Sequence, residues 1–516
     1  MEKQTANRRI ECRLQAVTPV HVGCDDVYEP TGFVVDEGKD RLIVFDPTNF
    51  ILGLDEDERE QFSAICRKGT IESIIEVYRF MQNRSAEGRT VNLCRGFSDE
   101  YRRVLKLSPR DARSQLNRFE IRRTAFCPLD NRPYIPGSAI KGALRTAYLN
   151  SIAQGSHGHS VDFRQGKDKK QRRDDRHKVL ENKLLSLDSV SSKDRISQDP
   201  FRMVKVSDFM PIGKSETKIT YAVNWKKGPS GGEGRGPYQM IEVVMPGTCF
   251  VGEIRVDAPL TKDAVSKAFD LSEIILGCRS FFEKENAREA SELRGIGCKT
   301  PTPAGNDGAF PFRVGFHSGA ECVTIEGYRE IWIKGKTGGK TLDHATTLWL
   351  ASEHDKPRHP DFLIPFGWTA MEAMDPQAMK ELMDQEAAYK KERDRELRQA
   401  AEVARERLKK EAEEAERLER LKAEVEAQKA AEEKRKAELE AMSPEEKAIA
   451  ELDAGDIIEN RVVEIYGQLQ DFSEPYKTRA AQALKNYWQQ EGKWTKKNCS
   501  KKQWEKVQKV KNILGE

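Results

Sequence analysis

The stretch "PYIPGSAIKGALRTAY", residues 133–148, puts a proline-glycine turn, a serine, and a lysine and an arginine four residues apart into one short run. Pro136 and Gly137 predict a turn after a strand ending near Tyr134, and Ser138 suits the N-cap of a helix beginning at Ala139. Lys141 and Arg145 then fall on one helical face. Unpaired N–H groups and partial positive charge at a helix start attract phosphate oxygens, and two cations on the same side reinforce them. Gly142 costs such a helix about 1 kcal/mol relative to alanine, which predicts close approach of another backbone there. These residues alone do not separate an RNA phosphate from a small anion, nor either from a simple cap with solvated charges.

Other stretches carry residues of chemical interest. The loop "RVGFHSG" offers Arg313 as a cation, with Gly315 and Gly319 allowing close backbone approach. His21 in "TPVHVG" has a side chain that titrates near neutrality, yet no motif supplies it with a catalytic partner. Asp25 and Asp26 are adjacent acids after a strand, a pattern of turns as much as of metal sites. His157 and His159 in "GSHGHS" are two apart with no second pair of ligands nearby, and "GPSGGEGRGP" lacks the G-K-[ST] that completes a phosphate cradle. No metal or cofactor is expected.

The elements that must position these groups read as α+β with antiparallel sheet. Strand patterns occupy the region from Ile10 to Phe45, with "GFVVD" and "RLIVFD" forming a hairpin around "EGKD". Residues 46–118 read as a helical insertion, and strand signals return at "RFEIRRTAF" before the opening motif. Residues 154–200 read as a flexible charged insertion. "FRMVKVSDF", "KITYAVNW" and "YQMIEVVMPGTCFVGEIRV", with its central "PGT" turn, add strands, and a helix is expected over residues 261–285.

At Asp375 the character changes, because that residue can cap a helix that Pro376 starts, and no glycine or proline follows before Met442. A helix of that length would span roughly 100 Å. Its large apolar residues are sparse and keep no clean heptad, whereas Glu406–Lys410, Glu413–Arg417, Glu416–Arg420 and Glu432–Lys436 are favourable i,i+4 pairs, so a lone charged helix or weak coiled coil is expected over 375–442. Ser443 and Glu446 form a capping box that opens a small basic helical module, residues 443–516. Eight lysines from Lys493 to Lys511 are interleaved there with Trp494 and Trp504.

Composition narrows the setting. With 87 Lys and Arg against 84 Asp and Glu, the net charge of +3 argues neither for nor against a polyanionic partner, so any such case must be local. No apolar run is long enough to span a bilayer and the N-terminus has no secretory h-region, which predicts a cytoplasmic protein. The ten cysteines show no C-x-x-C pair and are expected to be reduced and structural.

The phrase "IPGSAIKGALR" resembles the "IPGSSLKGxLR" signature of the RAMP proteins, the RNA-binding subunits of CRISPR effector complexes. "TPVHVG", "DPFRMVKVSD", "EVVMPGTCFVGEI", "RVGFHSG" and "PFGWT" follow in that family's order, over about residues 10–370. Within it, "LQAVTPVHVGCDDVYEP" and "IPFGWT" look most like the fifth Csm subunits of type III-A complexes. The resemblance implies a ferredoxin-like, RRM-related RAMP core over residues 1–374. It implies a non-catalytic subunit that holds the 3′ part of the crRNA and caps the backbone filament, supporting crRNA maturation and antiviral defence. It also implies crRNA, target single-stranded RNA, other Csm-type RAMP subunits and crRNA-trimming host nucleases as partners, and no membrane. Gly137, Ser138, Lys141, Gly142, Arg145, His21, Arg313, Gly315 and Gly319 would be the RNA-binding residues, tracking phosphates without reading bases. The target-cleaving backbone subunits carry a loop aspartate where this chain has Thr31, which removes the expected nuclease acid; a metal-dependent endoribonuclease using Asp25 or Asp26 is the alternative.

Overall fold

The structure is a computed structural model describing residues 9–155, 169–228, 232, 237–259, 261, 264–301, 308–335 and 338–516. It divides into two compact units, Met1–Asp394 and Arg395–Glu516.

Among the described residues the first unit contains two large sheets and a two-stranded ribbon, Ile331–Gly335 with Gly338–Leu342. In one, the strand order is Phe310–Arg313, Trp368–Met374, Arg9–Ala16, Cys249–Val256 and Val204–Val206, with every neighbour antiparallel and Met210–Ile212 also pairing with Cys249–Val256. Alternation along Arg9–Ala16 turns Cys12, Leu14 and Ala16 inward. They share a core with Phe250, Phe312, and Ile140 and Leu144 of the helix Gly137–Gly155, together with Ile274 and Phe282 of the helix Leu271–Gly295.

The second sheet has nine strands, running Gly23–Val27, Ile121–Thr124, Gln239–Val244, Thr217–Lys226, Arg89–Leu93, Arg41–Val44 and Phe33–Asp36, with Thr347–Ser352 and Ile364–Pro365 attached through Thr217–Lys226. Its core gathers Phe33, Leu42, Val91, Tyr101, Phe119, Tyr221 and Leu350.

Three expectations need correction. Residues 46–118 are not wholly helical, because Arg89–Leu93, with Val91 and Leu93 buried, is a strand of the second sheet. Where a flexible charged insertion is expected over residues 154–200, the described residues pack onto the fold: Lys169–Leu184 is helical, and Leu180, Leu184, Leu185 and Leu187 set in a charged background join the first core. The "PGT" turn joins strands of different sheets. It carries the chain from Gln239–Val244 in the second sheet to Cys249–Val256 in the first, with Gly247 at φ +92° making the turn. The helix expected over 261–285 lies at Leu271–Gly295, because Asp270 is the residue that caps it, accepting from the Ser272 N–H.

The long helix is Pro376–Ala441, with the N–H groups of Gln377 and Ala378 donating to Asp375 as the sequence predicts. Leu397, Val403, Leu408, Leu418, Leu421 and Val425 are all exposed. In the second unit, the capping box of Ser443 and Glu446 opens a module of four helices, Pro444–Asp453, Glu459–Gln468, Tyr476–Gln490 and Lys501–Leu514. Ile449, Ile465, Leu484, Trp488, Val507 and Val510 form its core.

Candidate nucleic-acid interface

The six quoted phrases meet in space along two seams. At the first, Val20 and Val244 exchange backbone hydrogen bonds, Gly367 donates to the Pro19 carbonyl, Val314 to Gly367, and Phe316 to His21. Four phrases are thus laced together by main chain. Gly315 sits at φ +95°, and a Cβ there would collide with the His21 carbonyl, so the loop reaches this strand only with glycine. At the second seam Ile135 and Phe209 exchange hydrogen bonds, and the Gly137 N–H donates to the Asp208 carboxylate at 2.8 Å. A Cβ on Gly137 would lie 2.5 Å from the Val206 carbonyl oxygen. The close backbone approach expected of Gly142 therefore belongs to Gly137, since a Cβ at Gly142 would meet nothing within 4 Å.

Between the seams opens a cleft of about 830 Å³. One wall is the face of the helix Gly137–Gly155 made by Ala139, Gly142, Ala143 and Thr146, a spacing that keeps small side chains toward the opening. The segment 21–27 forms the second, Arg122 and Arg123 lie beside it, and residues 313–316 with Val323 form the third. Phe316 is 48% exposed, so an apolar ring stands in the opening.

The charges are distributed unevenly. Arg123 donates to Asp26 at 3.0 Å and lies over the rings of Phe126 and Tyr28, at 3.6 and 5.1 Å. Arg122 is exposed and bonded to Glu120 at 3.1 Å. His21 is buried, and its Nδ1 must donate to the Glu242 carbonyl at 2.7 Å, leaving Nε2 as the acceptor. Burial pulls its pKa below the ordinary value. Asp25 has φ +57° and lines the same wall as Asp26. Among the described residues no three His, Cys, Asp or Glu side chains converge on one point, and His157 and His159 lie outside those residues.

The structure brings His21, Gly142, Arg313 and Gly315 of the expected RNA-binding residues to this cleft and places Lys141 and Arg145 outside its lining. Arg313 lines the cleft, but its guanidinium is buried: it donates to Glu289 at 2.7 Å and to the Phe366 carbonyl at 3.0 Å. It holds the loop in place and offers no free charge. Arg145 is bound to Glu181 at 3.0 Å and Asp199 at 2.9 Å, over the ring of Phe201. Lys141 and Arg145 do not line the cleft, and Lys141 lies near Lys205, whose charge adds to burial in lowering the Lys141 pKa. Ser138 is exposed and is not the cap; the anion at this helix start is Asp208. Gly319, at φ +78°, ends the loop. Sequence reasoning missed Arg122, Arg123 and Phe316. The first two stand in "RFEIRRTAF", where alternation alone marks one of any two neighbours as outward.

Behind the loop lies a charge cluster. Glu285, Glu289 and Glu321 are each no more than 3% exposed, and they meet Arg329, Arg313 and Lys227 respectively, with Arg288 and Glu292 alongside. Lys227 and Arg288 hold the Glu321 carboxyl down at about 2, and Glu289 also accepts from the Trp368 indole.

The glycine-dependent main-chain contacts and the open, arginine-flanked cleft beside them sit in a fold of the α+β class. The RAMP superfamily model matches residues 13–514, and the chain belongs to that superfamily. It is similar to a CRISPR system Cms protein Csm5 from Methanocaldococcus jannaschii, 25% identical over 216 residues that make up 42% of this chain and 46% of that protein. The chain thus spans about half the length of the curated relative it matches. Two solved structures also match: a chain of a Csm–crRNA–target RNA ternary complex of a type III-A CRISPR-Cas system and the T. onnurineus Csm5 crystal structure. The first has a TM-score of 0.45 and 20% identity over 70% of this chain and 100% of that one; the second has 0.40 and 16% over 69% and 99%.

Proposed function

We propose that the chain is a non-catalytic RNA-binding subunit of a type III-A CRISPR effector complex, holding the 3′ part of the crRNA and capping the filament of backbone subunits. Membership of the RAMP superfamily and the likeness to Csm5 support the setting. The observation that carries the reading is the cleft itself, where the bare Gly142 face, the Gly315–Phe316 loop and the Arg122–Arg123 pair surround one opening. Small residues let a sugar-phosphate chain approach, and arginines neutralise phosphates without selecting a base. A subunit that must accept any spacer needs that indifference. Gly137, Ser138, Lys141 and Gly319 belong to the flanks of this interface; Arg145 and Arg313 act only by holding its elements. Its partners are crRNA, target RNA and other Csm subunits, and a trimming nuclease would act on crRNA left unprotected. The core is a ferredoxin-like unit, a reading supported by the strand order of the first sheet and its two covering helices, with the long helix and the basic module as additions.

Gly142→Glu tests the reading, because a side chain there meets no neighbour and gains helix propensity while placing a negative charge in the opening. The complex purified with this variant should retain at least tenfold less crRNA, or crRNA shortened at its 3′ end. Unchanged length and occupancy would overturn the assignment.

A further inference from the structure

The C-terminal module carries a charge division that the cleft does not explain. Residues 443–475 contain nine acidic and two basic residues, whereas residues 476–516 contain eleven basic and three acidic ones. Some of the lysines are satisfied internally: Lys485 is paired with Glu516, and Lys493 lies 2.8 Å from Glu459 and 3.6 Å from Glu491. These pairs occupy Glu459, Glu491 and Glu516, leaving Glu505 as the acid among the remaining basic residues.

Lys496 and Lys497, in the 3₁₀ turn Lys496–Asn498, and Lys501, Lys502 and Lys509, on the helix Lys501–Leu514, are exposed, and no carboxylate pairs with them among the described residues. On that helix Val507 and Val510 point into the core, so by helical geometry Lys501, Lys502 and Lys509 lie together on the opposite side. With Lys496 and Lys497 in the turn just before it, five exposed cations stand within residues 496–509, and the one acid among them, the exposed Glu505, lies between Lys501 and Lys509 on the helix.

The tryptophans decide what kind of polyanion suits it. Alternating Trp and Lys in the sequence suggests stacking on single strands, but Trp488 is buried, and Trp494 and Trp504 are half-buried in the module's core. Lys511 lies over both Trp494 and Trp504, at 5.5 and 5.9 Å, and Lys485 over Trp494 at 5.8 Å. A ring that faces the core and carries a lysine on its face offers no platform for a base. Single-strand binders draw much of their affinity from such platforms, whereas a duplex keeps its bases stacked internally and presents regularly spaced phosphates. Lysine also suits that surface, because its ammonium neutralises a phosphate as a point charge without the planar fork by which arginine reads guanine.

We propose that the outer face formed by Lys496, Lys497, Lys501, Lys502 and Lys509 is a second nucleic-acid site, separate from the cleft, that binds the phosphate backbone of a duplex without sequence selectivity. The proposal does not depend on what the cleft binds.

The test uses the full chain and a fluorescein-labelled 30-base-pair DNA duplex of arbitrary sequence, with binding followed by anisotropy across a salt series. Each neutralised phosphate contributes about 0.9 to the slope of log K against log salt, so K496A/K497A/K501A/K502A/K509A should flatten that slope by about 4.5. At about 0.1 M salt the affinity should fall at least 100-fold, and replacement of the same five lysines by arginine should restore it. Circular dichroism and tryptophan fluorescence check that the module stays folded; should it not, K496A/K497A alone should flatten the slope by about 2. An unchanged slope overturns the proposal. An equal loss for a 30-nucleotide single strand also overturns it, since the site would then not be one for a duplex.

Discussion

Two parts of this chain are rich in the same charged residues and use them in opposite ways. Behind the glycine loop, Glu285, Glu289 and Glu321 are buried with Arg329, Arg313 and Lys227. Along the long helix, Glu416–Arg420 and Glu432–Lys436 pair at 3.2 and 3.4 Å with every side chain mostly in water. In the first place each charge has lost its hydration and depends on its partner; in the second, water replaces a partner with little loss. The buried cluster fixes the loop that walls the cleft, while the exposed pairs only favour a helical backbone.

The sharpest way to break this comparison is to remove one buried partner. Glu289→Ala leaves the Arg313 guanidinium without its counter-charge and the Trp368 indole N–H without its acceptor, so chemical denaturation should show a loss of about 3–5 kcal/mol. Replacing both Glu289 and Arg313 by methionine should recover most of that, because the cost lies in the orphaned charge. If the single and double variants are equally destabilised, the cluster acts through packing and the comparison fails.

A buried group with no counter-charge gives a smaller, pH-dependent effect. His317 is buried among Phe316, Trp349 and Phe366, and burial, then the nearby His21 and Arg122, pull its pKa down to about 3. Its folded pKa lies below the unfolded value of about 6.5, so the folded state binds fewer protons. Its contribution is therefore complete above about pH 6.5 and is lost as pH falls toward 3. By pH 5.5 that loss reaches about 1.4 kcal/mol. His317→Asn, which tolerates the φ of +64°, should remove this difference between pH 7.5 and 5.5 in paired denaturation curves.

The same contrast explains which features were legible in the sequence. Local signals held: Asp375 caps the long helix, Ser443 and Glu446 form their box, and the "EGKD" hairpin forms at Phe33–Asp36 and Arg41–Val44. Each depends on residues a few positions apart. Arg313 and Arg145 were misread because the carboxylates that neutralise them lie 24 and 36 or more positions away, and a cation in a glycine-rich phrase looks free until the fold supplies its partner. Gly142 was misread for the same reason, since only the packed structure reveals that Gly137 is the glycine under the neighbouring strand. The two corrected insertions failed on their sparse apolar residues, Val91 and Leu93 in one and Leu180 to Leu187 in the other, whose burial is decided by long-range contacts.

The exposed end of the comparison predicts the smallest effect. Arg420 and Glu416 are 78% and 68% exposed, so solvent screens their attraction and ordering two long side chains offsets much of the rest. A double-mutant cycle through Glu416→Ala and Arg420→Ala should give a coupling of about 0.3–0.5 kcal/mol, read from thermal unfolding of the full chain at low salt and vanishing near 1 M. Alanine is itself the best helix former, so the double variant should keep its helix content. A coupling of 2 kcal/mol or more, or one insensitive to salt, would mean that this part of the helix is not solvated in the intact protein, and that a partner surface covers it as the neighbouring elements cover Glu289.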